Sequence, residues 1–392
     1  MKRAILISVI ALIVMSGCGG KRQADAFITV DVKKTYSEKK ELILQDFMDV
    51  EYIKLETNDD FVNQGVVMDI GKKIMLVKNR VQDGNIFVYD RTGKALRKIN
   101  RRGQGPEEYT TIFGKIVLDE ENNEMFVNMV SKIVVYDLSG NFKRSFENKT
   151  SISKFMGTGI EGASVFTEMR NYDKDNLICY DEYNSNIAFA LISKQDGRII
   201  KEIPTPYKKM FFGQLIIPER KNAQPAGYST SLIPFNGNWL LSEHSSDTIY
   251  SFLPDYSVHP FIARTPSIQK MDPEVFLMVR FLSDRYYFLE TITNEYDWST
   301  ERGFPRTFMM YDKNEKNFFG YNVYNNDYTP PKEIYMNWLA LVNHEIAAWL
   351  RLEAYQLVDD YKKGILKGKL KEIAATLDAE DNPVIMLVKY RQ

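Results

Sequence analysis

The sequence predicts an all-β fold, a six-bladed β-propeller built from four-stranded antiparallel blades. The first observation is a repeated hairpin, with one copy at Ile86–Ile99 (IFVYDRTGKALRKI) and a near copy at Ile133–Phe146 (IVVYDLSGNFKRSF). Weaker copies follow at Ala188–Ile203, Thr248–Ile262 and Thr307–Tyr321. A single hairpin cannot bury its apolar face alone, so the repetition predicts an array of packed units.

The spacing of the hairpin turns is the second observation. Gly93 and Gly140 are 47 residues apart, and Gly140 and Gly197 are 57 residues apart. The approximate equivalents Asp255 and Asn314 continue the series at intervals of 58 and 59 residues. These intervals suit four-stranded blades with loops of variable length. The third observation is the content of 23 Phe, 23 Tyr and 4 Trp, because aromatic residues favour strands.

Each of the first five units contains four predicted strands, which are short runs of β-branched and aromatic residues between turn signals. Those of the first two units are Gly65–Ile70, Lys73–Asn79, Asn85–Asp90, Lys94–Arg101, Phe113–Asp119, Glu124–Met129, Lys132–Asp137 and Phe142–Glu147. Those of the next three are Ser164–Met169, Asn176–Tyr180, Ile187–Ile192, Arg198–Ile203, Tyr228–Ile233, Asn238–Ser242, Thr248–Phe252, Val258–Ala263, Phe276–Leu282, Arg285–Thr291, Arg306–Tyr311 and Asn317–Tyr321. A proline-containing connector, Pro204–Gly227, separates the third and fourth units.

The sixth unit combines the two ends of the chain. Three strands are predicted near the C-terminus, at Asn337–Val342, Glu345–Leu350 and Val384–Tyr390. Between them, Leu352–Lys363 and Leu366–Leu377 are rich in Leu, Ala, Glu and Lys, which predicts a helical insertion over about 352–377. The N-terminal strand Val50–Glu56 is free to be the fourth strand. We therefore expect it to pair with the C-terminal strand and to close the ring.

The first residues have the pattern of an export signal. Two basic residues precede an apolar run, Ala4–Val14, that is too short to span a bilayer comfortably. Small residues then lead into Cys18 and resemble the bacterial lipobox, although Met15 stands where leucine is usual. The alternative is a plain secretory signal with an incidental cysteine. We predict a lipoprotein signal peptide over 1–17, a lipidated Cys18, a tether over 18–26 and a propeller over 27–392, held in the cell envelope and facing the periplasm.

Charge and cysteine content exclude several classes of function. The net charge is -1 and no basic patch with interleaved aromatics occurs, which argues against nucleic-acid binding. Only two cysteines are present, Cys18 and Cys179, so a cysteine-ligated zinc site is excluded. Cys179 lies in an apolar strand and is predicted to be a small core residue.

Three stretches carry a family resemblance: VEYIKLET at the N-terminal strand, RRGQGPEEY after the first repeated hairpin, and DNPVIMLVKY at the C-terminus. With them the chain resembles the uncharacterised six-bladed β-propeller lipoproteins of Gram-negative anaerobes, which are TolB-like or NHL-like in fold. The resemblance implies a propeller over nearly all of the mature chain. It implies no particular activity and brings no catalytic residues, because propellers host binding modules and several unrelated enzymes.

The most distinctive loop is RRGQGPEEY, at Arg101–Tyr109. As a ligand site, Arg101 and Arg102 would supply positive charge, and the two glycines would let backbone N–H groups approach an anion. As a structural turn, the loop would instead place Tyr109 as a wedge between blades. The second interpretation is favoured, because the loop has neither a GxGxxG pattern nor a following helix.

A second candidate is the insertion Asn294–Pro305, which places Tyr296 and Trp298 among charged residues. Aromatic rings beside carboxylates can stack on a sugar or peptide and hydrogen-bond to it. Long loops on a rigid scaffold often bind ligands, but they also often pack their own aromatics. Both interpretations of Tyr296 and Trp298 stay open at this stage.

No metal or catalytic signature stands out. The three histidines form no HxH or HExxH pair, and no Gly-x-Ser-x-Gly elbow is present, so we predict no metal site and no catalytic residues. No cofactor is predicted, although a calcium ion at the channel mouth is conceivable, as in lactonase-like propellers. Residues that could contribute to it lie near the ends of predicted inner strands: Asn128, Asp173, Glu243 and Glu290.

Two main functional hypotheses follow. The first is a membrane-anchored propeller of unknown specificity that binds a protein, peptide or glycan. The alternative is a hydrolase or lyase centred on the channel, which could depend on a divalent cation. A purely structural role in the envelope comes third. The lysine-rich helices near the C-terminus are either a partner-docking element or, more commonly, a solvated cap on the last blade.

Overall fold

The computed structural model describes residues 27–391 except for 130, 149–151, 156–159, 164–165, 183–186, 212–213, 218–221, 226–229 and 298–302. Across these residues the strands form six sheets of four or more strands, together with two separate two-stranded hairpins. The first strands of blades 1 to 4 contact one another in series around a central channel. The chain is therefore a six-bladed β-propeller, as the repeat predicts.

Blades 1 and 2 have the strands that the repeat predicts, trimmed by one to three residues at some ends. Blade 1 consists of Val66–Ile70, Ile74–Lys78, Asn85–Asp90 and Ala95–Asn100. Blade 2 consists of Ile116–Asp119, Glu124–Asn128, Lys132–Asp137 and Phe142–Glu147. In both blades the middle strands are almost wholly buried and the fourth strand is half-exposed. The fourth strand is thus the one that faces solvent at the outside of each blade.

In blades 3 and 4 the first strand begins four residues later than predicted. Blade 3 consists of Glu168–Asn171, Asn176–Tyr180, Phe189–Ser193 and Ile199–Ile203. Blade 4 consists of Leu232–Phe235, Asn238–Leu241, Thr248–Phe252 and Val258–Thr265. The sequence-based prediction followed apolar runs, whereas the innermost strand of a blade faces the channel. An inner strand can therefore hold charged residues, and its free edge tolerates Pro234.

Blade 5 has the longest strands, Val275–Leu282, Tyr286–Thr293, Arg306–Asp312 and Asn317–Asn325, with Lys332–Glu333 paired to its outer end. Blade 6 consists of Ala340–Leu341, Ala348–Leu352, Val384–Lys389 and, from the start of the chain, Asp49–Lys54. The last two strands are antiparallel, with Val50 opposite Val388 and Lys54 opposite Val384. The predicted closure of the ring is confirmed.

The N-terminal segment adds two strands that belong to no repeat. Ile28–Asp31 pairs in parallel with the outer strand of blade 4, with Ile28 opposite Ile262. Lys39–Ile43 pairs in parallel with the outer strand of blade 5, with Lys39 opposite Gly320. A short helix, Leu44–Phe47, leads from there into blade 6. The segment covers two strand edges that would otherwise be open to pairing with other chains.

The repeated turn glycine is explained by contact between neighbouring blades. Gly93 and Gly140 have φ values of +89° and +88°, which glycine adopts readily. A Cβ atom added at Gly140 would lie 2.8 Å from the side chain of Ile99 in the outer strand of blade 1. One added at Gly93 would lie 2.0 Å from the carbonyl oxygen of Lys54 in blade 6. The same turn therefore sets how closely each blade approaches the one before it.

The helical insertion in blade 6 is present but shorter than predicted, with helices at Ala354–Lys362 and Gly368–Ala374. Leu357 and Leu370 are buried against the core of the last blades. Among the residues described, no helix is long and apolar enough to cross a membrane. The connectors on either side of blade 3 contain hairpins that the sequence analysis did not predict, Ile152–Phe155 with Ile160–Ala163 and Gln214–Ile217 with Asn222–Pro225.

Candidate functional site

A cavity of about 350 Å³ lies at the mouth of the channel where the inner strands end. Five of the six blades contribute to its wall, through Asp69 of blade 1, Asp119 of blade 2, Arg170 of blade 3, Trp239 of blade 4 and His344 of blade 6. Its size falls at the lower end of the range for pockets that hold small molecules. The cavity forms where inner strands and turns of five blades meet, so it depends on closure of the ring.

Hydrogen bonds between neighbouring turns fix the rim of this cavity. The carboxylate of Glu120 in blade 2 accepts hydrogen bonds from the backbone N–H groups of Lys72, Lys73 and Ile74 in blade 1, at 2.8–3.2 Å. The amide of Asn343 in blade 6 donates to the carbonyl oxygen of Ile70, at 2.7 Å. The first turn of blade 1 is thus held by side chains from both neighbouring blades, and this part of the rim is preorganised.

The buried ion pair between Asp119 and Lys194 forms part of the same wall. The Nζ atom of Lys194 lies 2.5 Å from Oδ2 of Asp119, and both side chains are at most 5% exposed. Lys194 also donates to the carbonyl oxygen of Asp173. The pair joins blades 2 and 3. The positive charge of Lys194 compensates the negative charge of Asp119 within the fold.

Trp239 and His344 form the aromatic side of the cavity. Their ring centroids are 5.1 Å apart and the rings meet edge to face, at 75°. Nδ1 of His344 is buried without a hydrogen-bond partner among the described residues. Burial lowers the pKa of His344 to about 4, so this imidazole is neutral at physiological pH. A neutral ring with an unused nitrogen beside a tryptophan can accept a hydrogen bond from a ligand.

Two cationic side chains meet on one carbonyl oxygen next to the cavity, and one of them, Arg170, lies in the cavity wall. Nζ of Lys115 in blade 2 donates to the carbonyl oxygen of Leu341 in blade 6, at 2.9 Å. Nη1 of Arg170 in blade 3 approaches the same oxygen, at 3.5 Å. The guanidinium of Arg170 also donates to Oε1 of Glu168, at 2.9 and 3.1 Å. These contacts cross the channel and place two cations beside a neutral acceptor.

The pKa of Lys115 is lowered by its burial and by the neighbouring positive charge. Burial lowers the pKa of Lys115 to about 7, and the nearby positive charge of Arg170 lowers it further than Glu168 or Asp69 raises it. Burial also raises the pKa of Asp69, although backbone N–H groups of Leu118 and Ile70 hydrogen-bond to its carboxylate. Perturbed groups of this kind cluster at functional sites more often than elsewhere.

A second set of titratable groups lies between blades 3 and 4. The hydroxyl of Tyr180 donates to Oε2 of Glu243, at 2.8 Å, and burial raises the pKa of Glu243. Burial also raises the pKa of Glu182 and lowers that of His244. In the described part of the chain, no group of three or more His, Cys, Asp or Glu side chains could hold a metal ion.

The four residues considered for calcium are dispersed over several blades. Asn128 donates to the carbonyl oxygen of Phe166, and Asp173 accepts hydrogen bonds from its own turn. The buried carboxylate of Glu290 forms ion pairs with Arg280, which is buried, and with Arg306, which is partly exposed. Glu243 binds Tyr180, as described above. These side chains serve separate local contacts, so the structure does not bring them together as one set of ligands.

The RRGQGPEEY loop is tightly bound to the fold. The side chain of Tyr109 is fully buried, and its hydroxyl donates to the carbonyl oxygen of Gly84, at 2.6 Å, and accepts from the backbone N–H of Arg101, at 3.0 Å. Its ring meets that of Tyr136 edge to face. Arg101 lines a cleft of about 450 Å³ and donates to the carbonyl oxygen of Gly140, while Arg102 is exposed. Ligand binding by this loop stays a prediction.

The insertion in blade 5 lies apart from that loop. Tyr296 is partly buried and packs edge to face on Phe304, with ring centroids 5.7 Å apart. Trp298 lies outside the described residues, and so does Cys18. Cys179 is buried in blade 3, and burial raises its thiol pKa, as expected of a core residue. Of the predicted binding residues that the structure describes, Tyr296 therefore lies in blade 5, apart from Arg101, Arg102 and Tyr109, which follow blade 1.

The residues at the channel were not predicted from sequence, although a signal for them exists. Asp69, Lys115 and Arg170 are charged residues in or next to the first strand of a repeat. Charged residues at this position of several successive repeats face the axis of a ring. A comparison of the first strands, repeat by repeat, would have found them.

Comparisons with known proteins bear on the fold and on the family. A protein of Bacteroides fragilis named "Putative exported protein" has a similar crystal structure, with a TM-score of 0.59 and 14% identity over 94% of this chain and 100% of that chain. A member of the DUF4221 family from Bacteroides vulgatus aligns with a TM-score of 0.47 and 10% identity, over 88% of this chain and 99% of that one. A virginiamycin B lyase from Staphylococcus aureus aligns with a TM-score of 0.38 and 10% identity, over 88% and 100%.

The likeness to the Bacteroides fragilis protein shows the fold alone, because the identity is 14%. No curated protein matches the sequence. One family model does match, over residues 27–389, which is the whole propeller from its first N-terminal strand to the last strand of blade 6. The chain therefore belongs to the family described as Domain of unknown function (DUF4934).

Proposed function

We propose that this protein is an exported, membrane-anchored propeller that binds a small ligand in the cavity at the channel mouth. The supporting observation is the cavity itself, in which charged, aromatic and amide side chains from five blades surround about 350 Å³. Convergent polar groups in one well-formed pocket are the usual mark of a ligand site. Rigid blades place these groups, and few of them need to move on binding.

Anchoring through Cys18 is part of the proposal. It is supported by the lipobox-like sequence and by the likeness to a protein whose name describes export. Replacing Cys18 with alanine is expected to abolish incorporation of radiolabelled palmitate and to release the protein from the membrane fraction. Palmitate labelling that is equal in the Cys18→Ala variant would contradict the anchor.

Ligand binding is tested by filling the cavity from an exposed position. Asn171 lines the cavity and is exposed, and among the described residues its side chain makes only one long hydrogen bond, of 3.4 Å. Asn171→Trp should therefore block the cavity without unfolding the blade. Purified protein is incubated with the small-molecule fraction of a bacterial envelope extract and washed, and retained compounds are identified by mass spectrometry. Asn317→Trp, at an exposed position on blade 5, is the matched control.

The expected result is a set of compounds retained by the wild type and by Asn317→Trp but lost in Asn171→Trp. The loss should be at least tenfold, because an indole in the cavity displaces the ligand. Retention that is equal in all three proteins, or absent in all three, would rule out the cavity as the ligand site.

A hydrolase or lyase is a second candidate, and the Tyr180–Glu243 pair is the observation that favours it. A buried carboxyl with a raised pKa can act as a general acid. Turnover of a panel of chromogenic esters and glycosides by the wild type, lost in Glu243→Gln, would support it. No turnover above that of Glu243→Gln would leave ligand binding as the function.

A further inference from the structure

We propose that the inner end of the mouth cavity is a site for a carboxylate group, carried by an amino acid or a short peptide that enters carboxylate first. The inference rests on the proposed function, because it names the ligand class of the same cavity. It is carried by Lys115 and Arg170, whose cationic nitrogens both lie within 3.5 Å of the carbonyl oxygen of Leu341.

The two cations have hydrogen-bond donors to spare. An ammonium group has three N–H donors and a guanidinium has five. Among the described residues, Lys115 donates to the carbonyl oxygen of Leu341 alone, and Nη1 of Arg170 has only the long contact of 3.5 Å to that same oxygen. A carboxylate beside them could accept one hydrogen bond from each cation. Charge-assisted bonds of this type are stronger than the bonds to a neutral carbonyl that they would supplement.

The carboxylates already in the channel only partly compensate this positive charge. Glu168 accepts from Arg170 on one oxygen, and its other oxygen accepts from the backbone N–H groups of Ser231 and Leu232, at 2.9 and 3.4 Å. Asp69 accepts from the backbone N–H groups of Leu118 and Ile70. The carboxylates of Glu168 and Asp69 are thus stabilised in part by backbone N–H groups and not only by the two cations. Consistent with this, the positive charge of Arg170 has a larger effect on the pKa of Lys115 than either acid has.

Access to the site is from the cavity, since Arg170 and Asp69 both lie in its wall. The outer rim has the opposite charge. Asp119 pairs with Lys194, and Glu120 accepts from backbone N–H groups, whereas Glu121 and Glu345 are exposed at the rim. Lys72, which is also exposed at the rim, lies 3.8 Å from Glu345. A ligand that is anionic at its inner end and cationic at its outer end matches this arrangement. Free amino acids and short peptides have that charge distribution.

The experiment uses pooled tripeptides with free termini, the same pool with C-terminal amides, and the same pool with acetylated N-termini. Equilibrium dialysis against full-length protein, followed by mass spectrometry, gives a bound-to-free ratio for each pool. The wild type should bind the free pool at least tenfold better than the amidated pool, and the acetylated pool should fall in between. Lys115→Met and Arg170→Met should each lower the ratio for the free pool at least tenfold.

Lys369→Met, on an exposed helix surface, is the control and should leave the ratio unchanged. Lys115→Met is the more secure variant, because Arg170→Met also removes the partner of Glu168. Equal binding of free and amidated pools, or binding that Lys115→Met leaves intact, would overturn the carboxylate site. Absence of any binding to any pool would overturn it too, whereas the proposed function would then still stand if envelope compounds were lost in Asn171→Trp.

Proton uptake gives a second readout. A carboxylate next to Lys115 would favour its charged form, so binding above the pKa of about 7 should draw in a proton. Calorimetry of the best-binding tripeptide, in buffers with different ionisation enthalpies, should show uptake of about one proton at pH 8 and little at pH 6. The uptake should vanish in Lys115→Met. Wild-type uptake that does not change between these pH values would contradict the role of Lys115.

Discussion

The buried side chain of Asn382 joins the two ends of the chain through Asn63. Its Oδ1 atom accepts a hydrogen bond of 2.8 Å from the backbone N–H of Asn63, which lies 319 residues earlier. Its Nδ2 atom donates to the carbonyl oxygens of Phe61 and Glu56, at 2.6 and 2.9 Å. The DNP stretch that precedes the last strand thus has a structural reason, because this amide fixes the loop that follows the N-terminal strand of blade 6.

Replacing Asn382 with alanine is expected to lower the free energy of unfolding by about 2–4 kcal/mol, because it leaves buried backbone groups without partners. Urea denaturation followed by circular dichroism measures this loss. Asn317→Ala, at an exposed position on blade 5, should cost less than about 0.5 kcal/mol. Similar unfolding midpoints for the two variants would show that the Asn382 amide does not hold the closure.

The buried pair of Asp119 and Lys194 leads to a second prediction. Lys194→Met leaves the carboxylate of Asp119 buried without its cation, so stability should fall by about 3 kcal/mol. Adding Asp119→Asn in the same chain should restore part of that loss, since the uncompensated charge is then gone. The exposed pair of Lys369 and Glu372 is the contrast, and Lys369→Met should change stability by less than about 0.5 kcal/mol. A double variant as unstable as the sum of the two single variants would argue against this coupling.

His344 predicts a dependence of stability on pH. Its folded-state pKa of about 4 lies below the ordinary value of 6.5, so the unfolded chain binds a proton more readily than the folded one between those values. Stability should therefore fall as pH drops from 6.5 towards 4, by up to about 1 kcal/mol per pH unit. Removing the group in His344→Phe should reduce that slope, as judged by urea denaturation at several pH values.

His259→Phe is the control for the histidine prediction, because His259 is exposed on the outer strand of blade 4. Its denaturation curves should follow those of the wild type at each pH. If His344→Phe has the wild-type slope between pH 6.5 and 4, another group is responsible for the acid sensitivity.

Tyr109 separates the two interpretations of the RRGQGPEEY loop. Tyr109→Phe removes a hydroxyl that bridges Gly84 and Arg101, so it should cost about 1–2 kcal/mol of stability. Arg102→Ala, at an exposed side chain, should cost less than about 0.5 kcal/mol. Thermal denaturation distinguishes the two. An unchanged melting temperature in Tyr109→Phe would remove the argument that this tyrosine fastens the loop.

The fold was largely predictable because its determinants are local and repeated. Turns such as Arg91-Thr92-Gly93 and hairpins such as Ile133–Phe146 can be recognised from the local sequence alone. Closure by the N-terminal strand of blade 6 followed from counting strands. The parallel strand Lys39–Ile43 was missed, because its charged, irregular sequence has no alternation and its pairing depends on the outer edge of blade 5.

The candidate site was much less predictable, for a physical reason. Its residues lie far apart in sequence, and only closure of the ring brings Lys115 to within 2.9 Å of the carbonyl oxygen of Leu341. No local pattern describes such a meeting. Arg101 and Tyr109 were selected as candidates because they belong to a loop with an unusual sequence. In the structure, the hydroxyl of Tyr109 stabilises that loop.

The position of the parallel strand Ile28–Asp31 bears on the proposed lipid anchor. The strand begins at the outer edge of blade 4, away from the axis of the ring. If Cys18 carries the lipid, ten residue steps separate the acylated end from Ile28, a reach of about 35 Å at full extension. The lipid would then be attached at the outer edge of the propeller and not at either end of the channel. Both ends of the channel could then stay open to solvent.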